Sequence, residues 1–269
     1  MKCSLFKKIA AFLIALALAM TLCACSLALE PKPAEETPPT ATEQPTGMET
    51  PVAESMMQAT KAPTSSDPQY EVGTAQVRLW TNSIGTQWMQ TIIPVTNTGD
   101  RNLYVDGGSF DIESADGSLI GVQDYVSAYP QILAPGETGY IYENTSMDTP
   151  LDETPTILPH PNIDAATVDL IRYEVTDLGI SDKEYGGIHV FGRVTNTSDA
   201  AASLVYIAVA LYDADGNVVD IVFTILTDEL AAGAQIGFDA SSFSLPNDIT
   251  ADIIADYEVW AYPMQMQLS

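Results

Sequence analysis

The chain repeats itself. The segment Val194 to Val219, VTNTSDAAASLVYIAVALYDADGNVV, copies the landmarks of an earlier one, Val95 to Ile120. Val95-Thr96-Asn97-Thr98 matches Val194-Thr195-Asn196-Thr197, and Ala115-Asp116-Gly117 matches Ala214-Asp215-Gly216, both displaced by 99 positions. The match resumes at Leu133-Ala134-Pro135-Gly136 against Leu230-Ala231-Ala232-Gly233 with an offset of 97, so two residues are missing from a connection, where length changes are tolerated. A chain that carries one strand-and-turn pattern twice is constrained to build one kind of sheet twice. With 269 residues there is room for about two domains besides a leader and a linker. A domain of roughly 100 residues buries about 60 to 70% of its unfolded surface, so neither copy needs a disulfide or a metal to fold. None is on offer, since Cys3, Cys23 and Cys25 all precede the repeat.

Within each copy the local pattern is that of strands. Phe110-Asp111-Ile112-Glu113 alternates apolar with acidic, the mark of a strand with one face on a core and one in water. Strands are expected at Val77 to Trp80, Trp88 to Val95, Gly108 to Glu113, Ser118 to Val122 and Gly139 to Tyr142. In the second copy they are expected at Thr167 to Leu178, Gly187 to Val194, Leu204 to Asp213, Val218 to Leu226, Ala234 to Phe238 and Ile253 to Tyr262. Asp116-Gly117 and Asp215-Gly216 read as two-residue hairpin turns. Pro94 cannot donate to a ladder, so its strand is expected at an edge or with a bulge. Pro150, Pro155, Pro159 and Pro161 mark the boundary between the copies. Short strands and Gly/Pro/Asn/Asp turns argue for an all-β fold of two tandem immunoglobulin-like antiparallel β-sandwiches. Val205, Ile207, Val209 and Leu211 line one face of a strand; Tyr206, Ala208, Ala210 and Tyr212 form the other, with unusually little charge, which makes sense if the other domain or a partner covers it and is less usual as plain exposed surface, although single exposed apolar residues are normal.

Ahead of the repeat, Lys2, Lys7 and Lys8 precede an apolar run from Ile9 to Leu22, the layout of a secretory signal. Its 14 residues fall short of the roughly 20 a membrane helix needs, so it is expected to be cleaved. Leu22-Cys23-Ala24-Cys25 resembles the lipobox of bacterial lipoproteins, with Cys23 where Ser, Ala or Thr is more common. That resemblance implies a diacylglycerol on the Cys25 thiol, attached by other enzymes, and anchorage on the outer face of the cytoplasmic membrane. The other reading is an ordinary signal peptide with incidental cysteines. From Leu27 to Pro68 the chain is rich in Pro, Thr, Glu, Ala and Ser and holds no aromatic residue, which predicts a disordered stalk spanning roughly 40 Å on average. The expected division is therefore a leader at 1–24, lipid-attachment Cys25 and stalk at 25–68, a first sandwich at 69–160 and a second at 161–269.

Val209-Ala210-Leu211-Tyr212-Asp213-Ala214-Asp215-Gly216 resembles the FxLYD type of small extracytoplasmic domain in lipoproteins of Gram-positive bacteria, with Val209 where that pattern prefers Phe. The first copy keeps Phe110 and Ile112 but has Glu113-Ser114 in place of Tyr-Asp. The resemblance implies a fold and a cell-surface setting rather than a reaction.

Chemistry-bearing groups are few. The formal charge is -26, and without the leader 7 basic residues face 36 acidic ones. Such a surface repels phosphate and anionic head groups, so nucleic acid is discounted as a partner; solubility or cation binding remains as its use. Asp213, Asp215, Asn217 and Asp220 have the oxygen spacing that begins a calcium loop, but the position of the bidentate Glu holds Thr224, and a plain hairpin turn accounts for the same residues. His160 and His189 have no metal-ligand partner at useful spacing, and no G-x-S-x-G elbow marks a nucleophilic serine. Neither catalysis nor a cofactor is expected. Trp80, Trp88, Tyr104, Tyr125, Tyr129, Tyr140 and Tyr142 form either a core or a stacking platform for a glycan. The expected protein is a membrane-anchored surface lipoprotein with two non-catalytic interaction domains, its partner a surface protein or a cell-wall polymer; the alternative is a carbohydrate- or cell-wall-binding module.

Overall fold

Polarity and burial alternate together along the strand that first suggested a sandwich. Phe110 and Ile112 are 0% and 5% exposed, while Asp111 and Glu113 are half-buried. The computed structural model describes residues 67–184, 186–242 and 244–265. The expected leader, Cys25 and the stalk up to residue 66 lie outside the described residues.

The first half contains β1 (Tyr70–Val72), β2 (Gln76–Thr81), β3 (Gln87–Asn97), β4 (Leu103–Glu113), β5 (Leu119–Tyr129), β6 (Ile132–Leu133), β7 (Thr138–Ser146) and β8 (Thr156–Ala165). The second half contains β9 (Glu174–Asp182), β10 (Ile188–Thr195), β11 (Val205–Tyr212), β12 (Val218–Leu226), β13 (Gln235–Ser241) and β14 (Asp256–Pro263). In the first half β3 lies between β7 and the pair β1 and β2, and β4 lies between β5 and β8. β5 belongs to both layers: it pairs with β4 as far as Val126 and with β7 from Ser127 onward. Tyr125, with φ at 59°, sits at the change-over. The second half has the same plan as two separate sheets, β13-β10-β9 and β12-β11-β14. Every pairing is antiparallel, and the architecture is all-β and immunoglobulin-like. Met89, Ile93, Phe110, Leu133 and Ile141 anchor one core; Ile188, Val190, Ile207, Leu211 and Phe238 anchor the other.

The repeated Val-Thr-Asn-Thr has a structural purpose, carried by its asparagine. Asn97 is fully buried, and its Nδ2 donates to the carbonyls of Arg101 (2.8 Å) and Leu133 (2.9 Å) while its Oδ1 accepts from Gly99 N (3.0 Å). Its backbone N–H donates to Glu137 O (3.0 Å) and its carbonyl accepts from Gly136 N (2.8 Å). Asn196 makes the corresponding five bonds, to Ala200 O (2.8 Å), Leu230 O (2.9 Å), Ser198 N (3.0 Å), Ala234 O (3.0 Å) and Gly233 N (2.8 Å). One side chain thus joins two loops across the end of each sandwich. Only a primary amide offers two donors and an acceptor at that size.

Three expectations need correction. The Asp-Gly pairs do not form two-residue turns: Gly117 and Gly216 have φ at 82° and 80°, but neither preceding aspartate has a positive φ. Ser114 N donates to Ser118 O (2.9 Å) and Gly117 N to Ser114 O (3.0 Å), so the loop has three residues and ends on a left-handed glycine. A bulge follows in each copy, leaving Ile120 and Val219 outside the strand register. Second, the proline-rich segment of the expected boundary holds β8, which pairs with β4 alone and as an edge strand tolerates Pro159 and Pro161. Third, Pro94 lies in a central strand, opposite Tyr140 on β7. Its other side faces the gap between β1 and β2, where its carbonyl accepts from Gly73 N (2.8 Å), so no ladder bond is lost.

Candidate functional site

The nearly uncharged outer face of β11 is covered by the first half. Ala208 and Ala210 are 0% exposed and share a cluster with Ile92, Tyr140, Tyr142, Ile221 and Trp260. The contact is between unlike faces: β3 and β7 of one copy meet β12, β11 and β14 of the other. Composition decides which faces meet. At the positions of the first copy that match Ala208, Ala210 and Tyr212 stand Ser109, Asp111 and Glu113, which water solvates well.

Polar groups inside this seam are bonded across it. Gln90, 2% exposed, donates through Nε2 to Asp220 Oδ1 (2.8 Å), and the Tyr142 hydroxyl donates to the same oxygen (2.8 Å). The Arg78 guanidinium donates to Gln90 Oε1 (2.7 Å) and to Val219 O (2.9 Å). The bulge after the β11–β12 turn lets Asp220 and its neighbour Ile221 both reach the seam. Burial pushes the Asp220 carboxyl up to about 6, against the pull of Tyr142, Arg78 and Gln90. Desolvation also raises the Tyr142 phenol, which therefore stays a donor. Elsewhere in the seam, Trp260 Nε1 donates to Glu137 Oε1 (3.0 Å), and Arg172, in the connector between the halves, reaches Ile132 O (2.6 Å) and both Glu137 oxygens (3.2 Å). The Tyr140 and Tyr212 hydroxyls lie 2.8 Å apart, and the Tyr129 and Phe223 rings stack at 4.9 Å.

Where the seam reaches the surface it opens into a cleft of about 850 Å³. The row of outward residues on β3 continues from Ile92 and Gln90 to Trp88, which stacks on Trp80 of β2 at 6.3 Å and 17°. Trp80 and Asn82 form the first half's wall; Lys183, Glu184, His189, Asn247 and Asp248 contribute to the second half's. Three bonds hold these walls. Asn144 Nδ2 donates to Ser244 O (2.7 Å), tying the loop before Asn247 to β7, and Asn82 Oδ1 accepts from Ile84 N (3.1 Å) and Thr86 N (2.9 Å), shaping the β2–β3 turn.

The proposed calcium residues are divided by the fold. Asp213 Oδ1 accepts from Asp215 N (2.9 Å) and Asn217 N (2.9 Å), and Asn217 Nδ2 donates to Asp213 Oδ2 (3.0 Å). Those bonds hold the Asp213 carboxyl below its ordinary range. Asp220 faces inward to Gln90 and Tyr142. In the first copy Asp116 does the same work for its turn, accepting from Ser114 and Ser118, and is lowered to about 2. Among the described residues no three His, Cys, Asp or Glu side chains assemble as a metal site. His160 meets Asp111 at 3.1 Å, and His189 meets Asp239 at 2.7 Å and packs on Phe191. Of the aromatic set, Tyr129, Tyr140 and Tyr142 are buried in the seam and Tyr125 is 96% exposed. Cys25 lies outside the described residues, among which no helix is long and apolar enough to cross a membrane.

Sequence reasoning missed Gln90, Arg78, Glu137 and Arg172 as seam residues, and Lys183, Glu184, Asn247 and Asp248 as cleft residues. A signal was present: Gln90 and His189 are matching positions, as are Tyr142 and Asp239, and such differences between the copies show where the two sandwiches stop being equivalent. Fold and site together define an all-β, immunoglobulin-like protein whose two sandwiches share an aromatic seam. No protein-family model and no curated protein matches the chain.

Proposed function

We propose that the protein is a surface lipoprotein, anchored on the outer face of the cytoplasmic membrane by a lipid on Cys25, whose stalk presents two FxLYD-type, immunoglobulin-like sandwiches for non-catalytic binding. The observation that supports binding most directly is the cleft, which neither half could form alone. Burial raises three carboxyls, Asp220, Glu143 and Glu258; Asp220 is bonded within the seam and Glu258 accepts from Tyr212 (3.3 Å) beside it. Support for anchorage is the lipobox-like Leu22-Cys23-Ala24-Cys25 at the end of an apolar run. A second reading, binding of carbohydrate or cell wall, is favoured by the tryptophan pair at the cleft.

Two experiments test this. Changing Cys25 to Ala should move the protein from the detergent-soluble membrane fraction to the medium; continued membrane fractionation would refute the lipid anchor. Affinity capture from cell-surface extracts, with protein, peptidoglycan and polysaccharide fractions compared, should enrich one class. Enrichment of none refutes the binding role.

A further inference from the structure

We infer that the cleft at the end of the seam is a binding site for an uncharged oligosaccharide. The inference rests on the second reading above and gives it a place and a ligand chemistry. Three observations carry it. The volume, about 850 Å³, lies within the span of small-ligand sites. One wall presents Trp80, whose indole is braced by the stack on Trp88; a flat apolar ring of this kind suits the C–H face of a pyranose. The polar groups are of mixed sense: Lys183 donates, as does the Asn82 amide whose oxygen is taken up by the turn, Glu184 and Asp248 accept, and Asn247 does both.

The mixture selects the ligand. An anion would meet Glu184, Asp248 and Asp182 on a strongly acidic protein, and a cation drawn to those carboxylates would leave the Lys183 ammonium and the Asn247 amide donors without a partner. A sugar hydroxyl donates and accepts from one atom, so it can satisfy both kinds of partner without giving up a full charge's hydration. Because the walls come from both halves, the ligand would also hold the two sandwiches together, and binding would raise the unfolding temperature.

The test uses the full chain in detergent, titrated by calorimetry and tryptophan emission with tetramers of β-1,4-linked N-acetylglucosamine, of β-1,4-linked glucose and of α-1,4-linked glucose. Spermidine, inorganic triphosphate and tetra-alanine serve as cationic, anionic and peptide controls. At least one tetrasaccharide should saturate, shift the emission and raise the melting temperature, while the controls do none of these. Trp80→Ala should weaken binding at least tenfold. Since Trp80 is a strand residue, a paired loop variant, Asn247→Ala with Asp248→Ala, should do the same with an unchanged melting temperature; Leu119→Ser, on an exposed face of the first half, should bind as the parent does. Failure of every tetrasaccharide at millimolar concentration, saturation by a control instead, or binding indifferent to both cleft variants overturns the inference. Capture of polysaccharide from cell-surface extracts that persists in the loop variant would sink this site and leave the second reading standing; no capture and no titration would sink both.

Discussion

Asn97 and Asn196 show how much a repeated residue can mean. Each is buried and gives its side-chain amide to two loop carbonyls, so replacement by Asp puts acceptor against acceptor. Asn196→Asp and Asn97→Asp should each cost about 2–4 kcal/mol, read as a lower urea midpoint. Asp220 behaves in the opposite sense. Its folded value of about 6 lies above the ordinary 3.8, so the folded state binds a proton more tightly than the unfolded chain. That stability is fully present below pH 3.8 and is lost as pH rises through about 6, an effect on the order of 3 kcal/mol. Asp220→Asn keeps an acceptor for Gln90 and Tyr142 and removes the charge facing them. Denaturation should find this variant more stable than the parent at neutral pH, with a shallower fall between pH 4 and 6; an unchanged slope would show that Asp220 is ionised in the fold at little cost. The sequence displayed both residues without showing their roles. The asparagines stood out because they recur, while Asp220 was grouped with Asp213 and Asp215 by proximity, and only the bulge turns it the other way.

Elements were legible wherever one face is wet. Alternation gave β4, and the run between turns expected at Val218 to Leu226 coincides with β12. It failed at β8, because prolines are usual signs of an ended strand and nothing local reveals that a strand will lie at an edge. It also overextended the first strand of the second copy, expected from Thr167 where β9 begins at Glu174: Arg172 in that stretch is drawn to Glu137 and Ile132 of the other half. Two glycines separate turn strain from packing at this scale. Gly216 has φ at 80° with open space where a Cβ would stand, so Gly216→Ala should cost about 1 kcal/mol. Gly108 has φ at 119°, and a Cβ there would come within 2.3 Å of the His160 carbonyl on β8. Gly108→Ala must therefore push β8 away from β4 and should cost several times more than Gly216→Ala, about 3 kcal/mol or above. Thermal melts of the two variants provide the comparison; equal losses would mean that β8 gives way easily.

For the molecule as a whole, the repeat supplies two sandwiches and the differences between them supply the seam. A face rich in Tyr and Ala was legible as one that water suits poorly, which favoured a cover without deciding it. Which surface would cover it was not, because Trp88, Gln90, Ile92 and Pro94 on β3 mix polar and apolar residues and read as neither core nor exterior. Their partners are found only after folding brings Asp220 and Tyr142 beside them. If the seam couples the halves, they should unfold together, with one calorimetric transition reported alike by every probe. Ala210→Glu tests the coupling without touching either core, since Ala210 faces the seam and its neighbours Val209 and Leu211 face the second core. A carboxylate at a position 0% exposed, opposite Glu258 on β14, loses its hydration without gaining a partner. The less costly response is for the seam to open so that water reaches the new charge, while each sandwich keeps its core. Calorimetry of Ala210→Glu should then show two transitions in place of one, and the Asp220-dependent fall in stability between pH 4 and 6 should vanish with the seam. A single transition at the parental temperature would mean that the seam takes up the new carboxylate without opening.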